Sequence, residues 1–484
     1  MWIEKMMERE ALIRFFEEHD RLLEPGALDL IMKSGSPLDL SKAIMERASG
    51  QIFITRTMVD MMLDTTPAEE RAKPFELISQ GYSPPVRAEE PLEAYRELFI
   101  DRFTRLSRLL RGKSELKNLV KIGELSRCTS QEVSVIGMIK DFHSTKDHHT
   151  LLTLDDLSGE SSVLVPAGLP SAKEPFLSDE MVGLRLWTQK EPGRIPYVKE
   201  VVRPGLPLAR TFPKVHSNPL VLFISDIHVG SKMFMREQWK ELTAFLRGES
   251  IEPEMAKRIR HVVIAGDMVD GIGIYPGQEK DLAIADIVEQ YAELGRLLKE
   301  FPSHLNIIAI PGNHDAVCPA EPQPPIANEL AELLPPNVKV AGNPCLFSLE
   351  GVKVEAYHGR SFDDIIPSIP SARYERPVEV MKRMLWMRHL SPTFGQKIPL
   401  APLPRDGMVL DPLPDILVTG HTHTCGVERY RGILLMNASA WISETDYQRM
   451  RNVKPDPAQA FVVDLSTQAV KKMSFLRPTP ELSG

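Results

Sequence analysis

Five short clusters of carboxylate, imidazole and amide side chains stand in order along the second half of this 484-residue chain, each directly after an apolar run. LVLFI (220–224) leads to Asp226 and His228, and HVVIA (261–265) to Asp267 and Asp270. LNIIAIP (305–311) leads to Asn313, His314 and Asp315; VKVEAY (352–357) leads to His358; DILVT (415–419) leads to His421 and His423. Carboxylates, imidazoles and one amide suit Mn²⁺, Zn²⁺ or Fe²⁺ better than Ca²⁺ or copper. The set is too large for a single four-coordinate ion. Two ions ~3.5–4 Å apart, with one carboxylate between them, would use it fully. Such a pair can act as Lewis acids and acidify a bound water.

The apolar runs read as buried strands, and side chains just beyond the carboxyl ends of such strands converge on one crevice. On an extended segment the two members of Asp226/His228 or His421/His423 would point to the same side, because the strand period is two. Gly266, Gly312 and Gly420 stand immediately before cluster residues and predict tight turns. Around these runs, residues 209–484 alternate strand-like and helical stretches, the pattern of a layered α/β domain. Residues 117–208 read differently. VSVIGMIKDF, LLTLDDLSGESSVLV, LRLWTQ and YVKEVVR follow period two and predict about five short strands, enough for a small barrel of the oligonucleotide-binding (OB) type. Residues 1–65 predict a small helical module, with Leu12, Ile13, Phe15 and Phe16 at helical spacing and caps at Ser36 and Ser41. Between these, 66–116 predicts a Pro/Glu/Ala-rich linker to about Leu92 and then a helix to about Leu110.

Composition limits the function classes. Lys and Arg number 58 against 66 Asp and Glu, a formal charge of −8, which excludes coating nucleic acid by bulk positive charge and predicts weak DNA binding by this chain alone. Hydrophobic residues at 43% and charged residues at 26% are those of a soluble globular protein. No apolar run approaches membrane-spanning length, so no membrane partner is expected. MWIEKMMEREALIRFF is charged throughout, unlike a signal peptide. Cys128, Cys318, Cys345 and Cys425 lie far apart with no CxxC pair, which argues against a disulfide framework or a cysteine zinc site. The expectation is a cytoplasmic protein.

The ordered motifs DxH, GDxxD, GNHD, a separate His and GHTH resemble the calcineurin-like metallophosphoesterase family over about 219–465. The stretches GIGIYPGQEKDL after Asp270, GRSFDDIIPSIP after His358 and NASAWISETDYQRMRNVKPDP beyond GHTH narrow the resemblance to small subunits of archaeal family D DNA polymerases. That resemblance implies a layered β-sandwich phosphoesterase domain flanked by helices, preceded by an OB-like barrel and a helical N-terminal module. It implies a 3′→5′ exonuclease that proofreads a primer 3′ end and pairs with a large polymerising subunit. Matched onto this chain, it assigns Asp226, His228 and His423 to the first ion and Asn313, His358 and His421 to the second, with Asp267 bridging. Of the divalent ions, Mn²⁺ stands first. The same match makes His314 the residue facing the scissile phosphate, Asp315 its orienting carboxylate, and Asp270 a support of the Asp267 loop. Two other functions stay open: a non-catalytic structural subunit of the polymerase, and a stand-alone metal-dependent phosphodiesterase.

The remaining conspicuous residues have plainer readings. His143, His148 and His149 predict a solvated loop, and His216 and His304 surface positions. His389, and Met381, Met384, Leu385 and Met387 around Trp386, predict packing, and Cys425 a buried thiol. Asp363 and Asp364 read as a solvated loop with the substrate entrance as the minority view, and Arg360 as a candidate for a phosphate.

Overall fold

The computed structural model describes residues 2–19, 21–33, 37–47, 53–56, 58–59, 75–83, 91–207, 210–215 and 218–476. The chain forms two compact units, Met1–Lys73 with Lys214–Ser217, and Pro74–Pro213 with Asn218–Gly484. Among the described residues no helix is long and apolar enough to cross a membrane.

The first unit has helices Trp2–Glu17, Pro25–Lys33 and Pro37–Arg47 and a short parallel pair, β1 (Leu22–Leu23) with β2 (Phe53–Ile54). Leu12 and Phe16, one helical turn apart, bury against Leu28, Ile31, Ile44 and Ile54. The expected cap Ser36 lies outside the described residues. Ser41 is not a cap: it sits inside the third helix, where its hydroxyl donates to the Pro37 carbonyl at 2.8 Å.

The second unit begins with a strand where a linker was expected. β3 (Phe75–Gln80) pairs antiparallel with β13 (Cys345–Leu349) at the edge of a six-stranded sheet. An edge strand pairs on one side only, so it tolerates the weak and polar pattern of FELISQ. The helix Pro91–Arg111 follows and lays Leu106 and Leu110 on Ile136, Met138 and Met181. Those partners belong to a closed barrel of β4 (Glu132–Ser144), β5 (Thr150–Asp156), β6 (Gly159–Val165), β7 (Met181–Trp187) and β8 (Tyr197–Val202), in the order β4-β5-β6-β8-β7. β4 reaches both neighbours because it is long and shifts register between Ile139 and Asp141. Alternate residues Val133, Val135, Leu152, Leu154 and Leu184 fill the interior.

Two six-stranded sheets complete this unit. One runs β12-β11-β10-β9-β18-β19, comprising β9 (Leu220–Ile224), β10 (Ile259–Ala265), β11 (Asn306–Ile310), β12 (Val338–Val340), β18 (Gln459–Asp464) and β19 (Val470–Ser474). β9 to β12 are parallel, and every residue of β9 is buried. Leu222 and Ile224 pack under Trp239, Leu242, Leu294 and Leu298 of helices Arg236–Leu246 and Ile287–Lys299. Val221 and Phe223, on the alternate face, are fully buried as well, as a sheet covered on both sides requires. The other sheet runs β16-β17-β15-β14-β13-β3, with β14 (Val352–Ala356), β15 (Ile416–Thr419), β16 (Gly426–Tyr430) and β17 (Ile433–Asn437). Its Leu417 and Leu435 pack on Ile365, Met381, Met384 and Leu385 of helices Phe362–Ser368 and Pro377–Met387. The methionine stripe is therefore core.

His389 is also interior. Its Nε2 lies 2.9 Å from Asp406 Oδ2, which accepts from buried Arg102 Nε at 2.6 Å. Burial, with the Arg102 charge, pushes the His389 imidazole down to about 4, so it is neutral.

Glu355 on β14 lines a cavity of about 30 Å³ together with Arg105 and Arg405. Burial pushes its carboxyl up to about 8. The unfolded chain releases that proton near an ordinary glutamate pKa of about 4.3. Between the two values the folded state holds the extra proton, so stability falls as pH rises, at up to ~1.4 kcal/mol per unit. Glu355→Gln should flatten this slope between about pH 5 and 8, measured by denaturant midpoints across that range. An unchanged slope would exclude Glu355 as its source.

Candidate metal centre

The carboxyl ends of β9, β10 and β11 in one sheet and of β14 and β15 in the other deliver the predicted residues to one place. The backbone there is not extended, contrary to the period-two expectation. Asp226 and His228 (φ 52° each), Asp267 (48°), His421 (69°) and His423 (57°) are all left-handed. Such a conformation costs non-glycine residues free energy and persists where surrounding contacts over-determine it. Those contacts are visible: the His421 N–H donates to Asp226 Oδ1 and Oδ2 at 3.1 and 3.0 Å, and the His314 N–H to Asp267 Oδ1 at 2.8 Å. At Gly266, φ is 98° and a Cβ would strike the His358 ring. A Cβ at Gly312 would run into Asp267 Oδ1, so this glycine provides space rather than an unusual φ.

The side chains fall into overlapping groups. Asp226, His228 and His423 form one, and Asp267, His358 and His421 another, with candidate ligand atoms within 4.8 Å of one another in each. His228 Nε2 lies 3.2 Å from His423 Nε2, and His423 Nε2 3.4 Å from Asp226 Oδ1. Asp267 Oδ2 stands between the groups, 3.2 Å from His358 Nε2 and 3.8 Å from His228 Nε2. Asn313 Oδ1 lies 3.2 Å from His358 Nε2. All seven predicted ligands are thus brought together. His314 also belongs here, within 4.8 Å of His228 and Asp267 by its nearest ring nitrogen, so distance alone does not set it apart from the ligands.

The second nitrogen of most of these rings is anchored. His228 Nδ1 meets Asp270 Oδ1 at 3.1 Å, His358 Nδ1 the Ala265 carbonyl at 2.9 Å, and His423 Nδ1 the Gln448 amide at 2.9 Å. Asp270 therefore supports His228 directly. His314 Nδ1 meets the Asp270 carbonyl at 2.8 Å. Asp315 does not orient His314. Its carboxylate accepts from the Gly312 and Met268 N–H groups at 2.8 and 3.1 Å and from the Tyr291 hydroxyl at 2.9 Å, tying the β10 and β11 loops together. A neighbour in sequence points elsewhere because the loop turns between the two. Gln448 carries a signal of a different kind: Thr445 and Gln448 form a capping box at helix Asp446–Arg451, which sequence reads as a helix start rather than as a histidine anchor.

Charge follows from burial and proximity. Burial opposes ionisation of Asp226 and Asp267, yet the surrounding imidazoles hold Asp226 below the usual carboxylate range and Asp267 well below it. Desolvation likewise opposes protonation of His228 and His358, but Asp270 and Asp267 push them up to about 9 and about 10. His314 goes the other way: burial takes it down to about 4. Burial and the Asp267 charge lift Asp315 to about 6. Buried imidazoles facing buried carboxylates, with hydrogen-bonded second nitrogens, are a donor set that fits divalent metal ions.

The sequence pattern of the alpha/epsilon DNA polymerase B-subunit family matches residues 221–425, a span that holds all seven candidate ligands. The DNA polymerase II small subunit of Thermoplasma acidophilum is 32% identical over 470 residues, covering 97% of this chain and 93% of that protein. This chain belongs to the archaeal family D (DNA polymerase II) small-subunit family. The family's member from Archaeoglobus fulgidus is 36% identical, covering 91% of this chain and 93% of its own, and that from Methanothermobacter thermautotrophicus is 35% identical, covering 96% and 99%. Among solved structures, one described as a novel archaeal phosphodiesterase is 12% identical, with a TM-score of 0.28, covering 52% of this chain and 98% of its own.

Other predicted positions of this small subunit fall away from the cluster or at its margin. His143 and His148 are exposed, and His149 Nδ1 meets the Ala167 N–H at 2.9 Å. His304 is exposed; His216 lies outside the described residues. The Arg360 guanidinium donates to the Pro319 carbonyl at 2.6 Å. Burial pushes the Cys425 thiol up to about 11, so it offers no thiolate to a metal. Asp363 and Asp364 are no solvated loop. They open helix Phe362–Ser368, where Asp364 is buried and accepts from the Lys397 and Ile398 N–H groups at 3.0 and 3.1 Å.

Proposed function

We propose that this chain is the exonuclease subunit of a family D DNA polymerase, removing nucleotides from DNA 3′ ends as partner of the large polymerising subunit in the cytoplasm. The observation that carries this reading is the complete set of seven ligand-type side chains meeting in one crevice. Asp226, His228 and His423 would hold one ion, Asn313, His358 and His421 the other, with Asp267 between them and Mn²⁺ the preferred metal. Bound there, two divalent ions supply Lewis-acid polarisation of the phosphodiester and acidification of water. The chain's own residues do the rest. The left-handed loops fix the donors before substrate arrives. With Nδ1 held by the Asp270 carbonyl, His314 has Nε2 left to exchange a proton with the substrate. Burial keeps that ring neutral, and the negative charge of an approaching phosphodiester raises its proton affinity, which suits it to protonate the departing 3′ oxygen.

We read the remaining domains as a helical module at 1–65 and an OB-like barrel at 117–208, with the phosphoesterase domain at 209–484; the stretch 66–116, expected as a linker and helix, carries β3 on the second sheet and the helix Pro91–Arg111. The barrel's order, first-second-third-fifth-fourth strand, supports the OB assignment. The test is digestion of 5′-labelled single-stranded and mismatched primers by the purified two-subunit complex, with Mn²⁺ and with chelator. Stepwise shortening from the 3′ end only with metal is expected. Primers that stay full length with Mn²⁺, Zn²⁺ and Fe²⁺ alike would sink the proposal.

A further inference from the structure

His421, like His423 on Gln448, has an anchor in a segment the ligand motifs do not include, and it is the one of the two held by a carboxylate. Its Nε2 is 3.2 Å from Asp363 Oδ2, on the first turn of helix Phe362–Ser368. The other carboxylate oxygen, Oδ1, accepts from the Tyr374 hydroxyl at 2.7 Å. Asp363 is thus held at both ends, and it is only partly exposed, at 32%. Asp226 fixes the backbone of His421 from the opposite side through its N–H.

We propose that Asp363 is a positioning residue for the second ion, setting the tautomer and ring orientation of His421. This rests on the two-ion reading above and deepens it. An ionised carboxylate only accepts hydrogen bonds, so the hydrogen of the neutral ring must sit on Nε2. Nδ1 then keeps its lone pair for a metal. Asp270 treats His228 in the mirror sense, meeting Nδ1 and leaving Nε2 in the crevice. Each ion site therefore has one histidine paired to a carboxylate outside the ligand set. A partner of this kind raises the basicity of its ligand and spares the ion the cost of ordering a loose ring. Tyr374 adds a further restraint, because its hydroxyl keeps the carboxylate from turning toward solvent.

The experiment is calorimetric titration of the metal-stripped two-subunit complex with Mn²⁺. Wild type should take up two ions per small subunit. Asp363→Ala should weaken one of them by about 10–100-fold, leave the other unchanged and still fill both at high Mn²⁺. Asp363→Asn should recover much of the affinity, since its amide oxygen still accepts from Nε2–H, and Tyr374→Phe should weaken the same ion by a smaller factor. Unchanged affinity in Asp363→Ala overturns the proposal. So does complete loss of one ion at every Mn²⁺ concentration, which would make Asp363 a direct ligand. Wild type that binds fewer than two ions would remove the two-ion reading itself, and this proposal with it.

Discussion

His314→Ala is expected to slow 3′-end removal by the two-subunit complex by about 10²–10⁴-fold while both metal ions stay bound. The expectation follows from the ring's anchoring. His314 is held by the Asp270 carbonyl at Nδ1 and by the Asp267 carboxylate at its backbone N–H, so it is rigid, and it sits beside His228 and Asp267 in the crevice. Removing the ring deletes a proton donor without deleting a carboxylate charge. Single-turnover excision of a mismatched primer at saturating Mn²⁺ measures the loss, and metal analysis of the same preparation measures retention. Asp267→Ala gives the contrast: it should lose activity and ion pair together, because Asp267 Oδ2 stands between the two groups. If His314→Ala also loses an ion, His314 is a ligand. If it excises at the wild-type rate, the nuclease assignment to this chain fails and a structural subunit is the better reading.

The candidate ligands and their places after apolar strands were legible because buried parallel strands leave a strong one-dimensional signal. β9, with every residue buried, could scarcely read otherwise. What held those ligands was not legible. Asp315 stands beside His314 in sequence yet accepts from Gly312 in its own loop and from Met268 and Tyr291 on other segments. Asp363 stands 58 residues from His421 and reads as a loop. The left-handed backbone at five candidate-ligand positions carries only a weak residue-type mark, since Asp and His favour that region more than most residues yet mostly stand elsewhere. These are tertiary facts, enforced by contacts between strand ends that sequence periodicity does not encode. The edge strand β3 escaped for a related reason: it pairs on one side only, and FELISQ alternates for just three residues before Leu77 and Ile78 stand together, between proline- and glutamate-rich flanks.

Glu180→Ala is expected to cost about 3–5 kcal/mol of stability. Glu180 lies in the barrel just before β7, with its side chain fully buried. It accepts from Arg203 Nε at 2.6 Å and from Arg383 Nη2 at 3.1 Å. Arg203 lies just after β8 of the barrel and Arg383 on helix Pro377–Met387, so one carboxylate ties the barrel to the helix under β15 and β17. Trp386 takes both guanidinium groups against its ring, at 5.0 and 5.4 Å. Arg383 Nε and Nη1 are buried with no hydrogen bond from another protein group, so alanine at 180 would leave two buried cations with little to replace the lost charge. Glu180→Gln keeps an acceptor and should cost less. Replacing all three members together by apolar residues of similar volume should cost least, because it removes the desolvated charges instead of stranding them. Denaturant unfolding followed by tryptophan fluorescence separates the three variants. Equal destabilisation of Glu180→Ala and the triple replacement would mean that packing, and not the ion network, holds the barrel to the helix. The order Ala, Gln, triple, from most to least destabilised, would place that attachment in the charges. His421 and His423 follow β15, whose Leu417 rests on Met381 and Met384 of the same helix, so the barrel attachment and the metal crevice share one support.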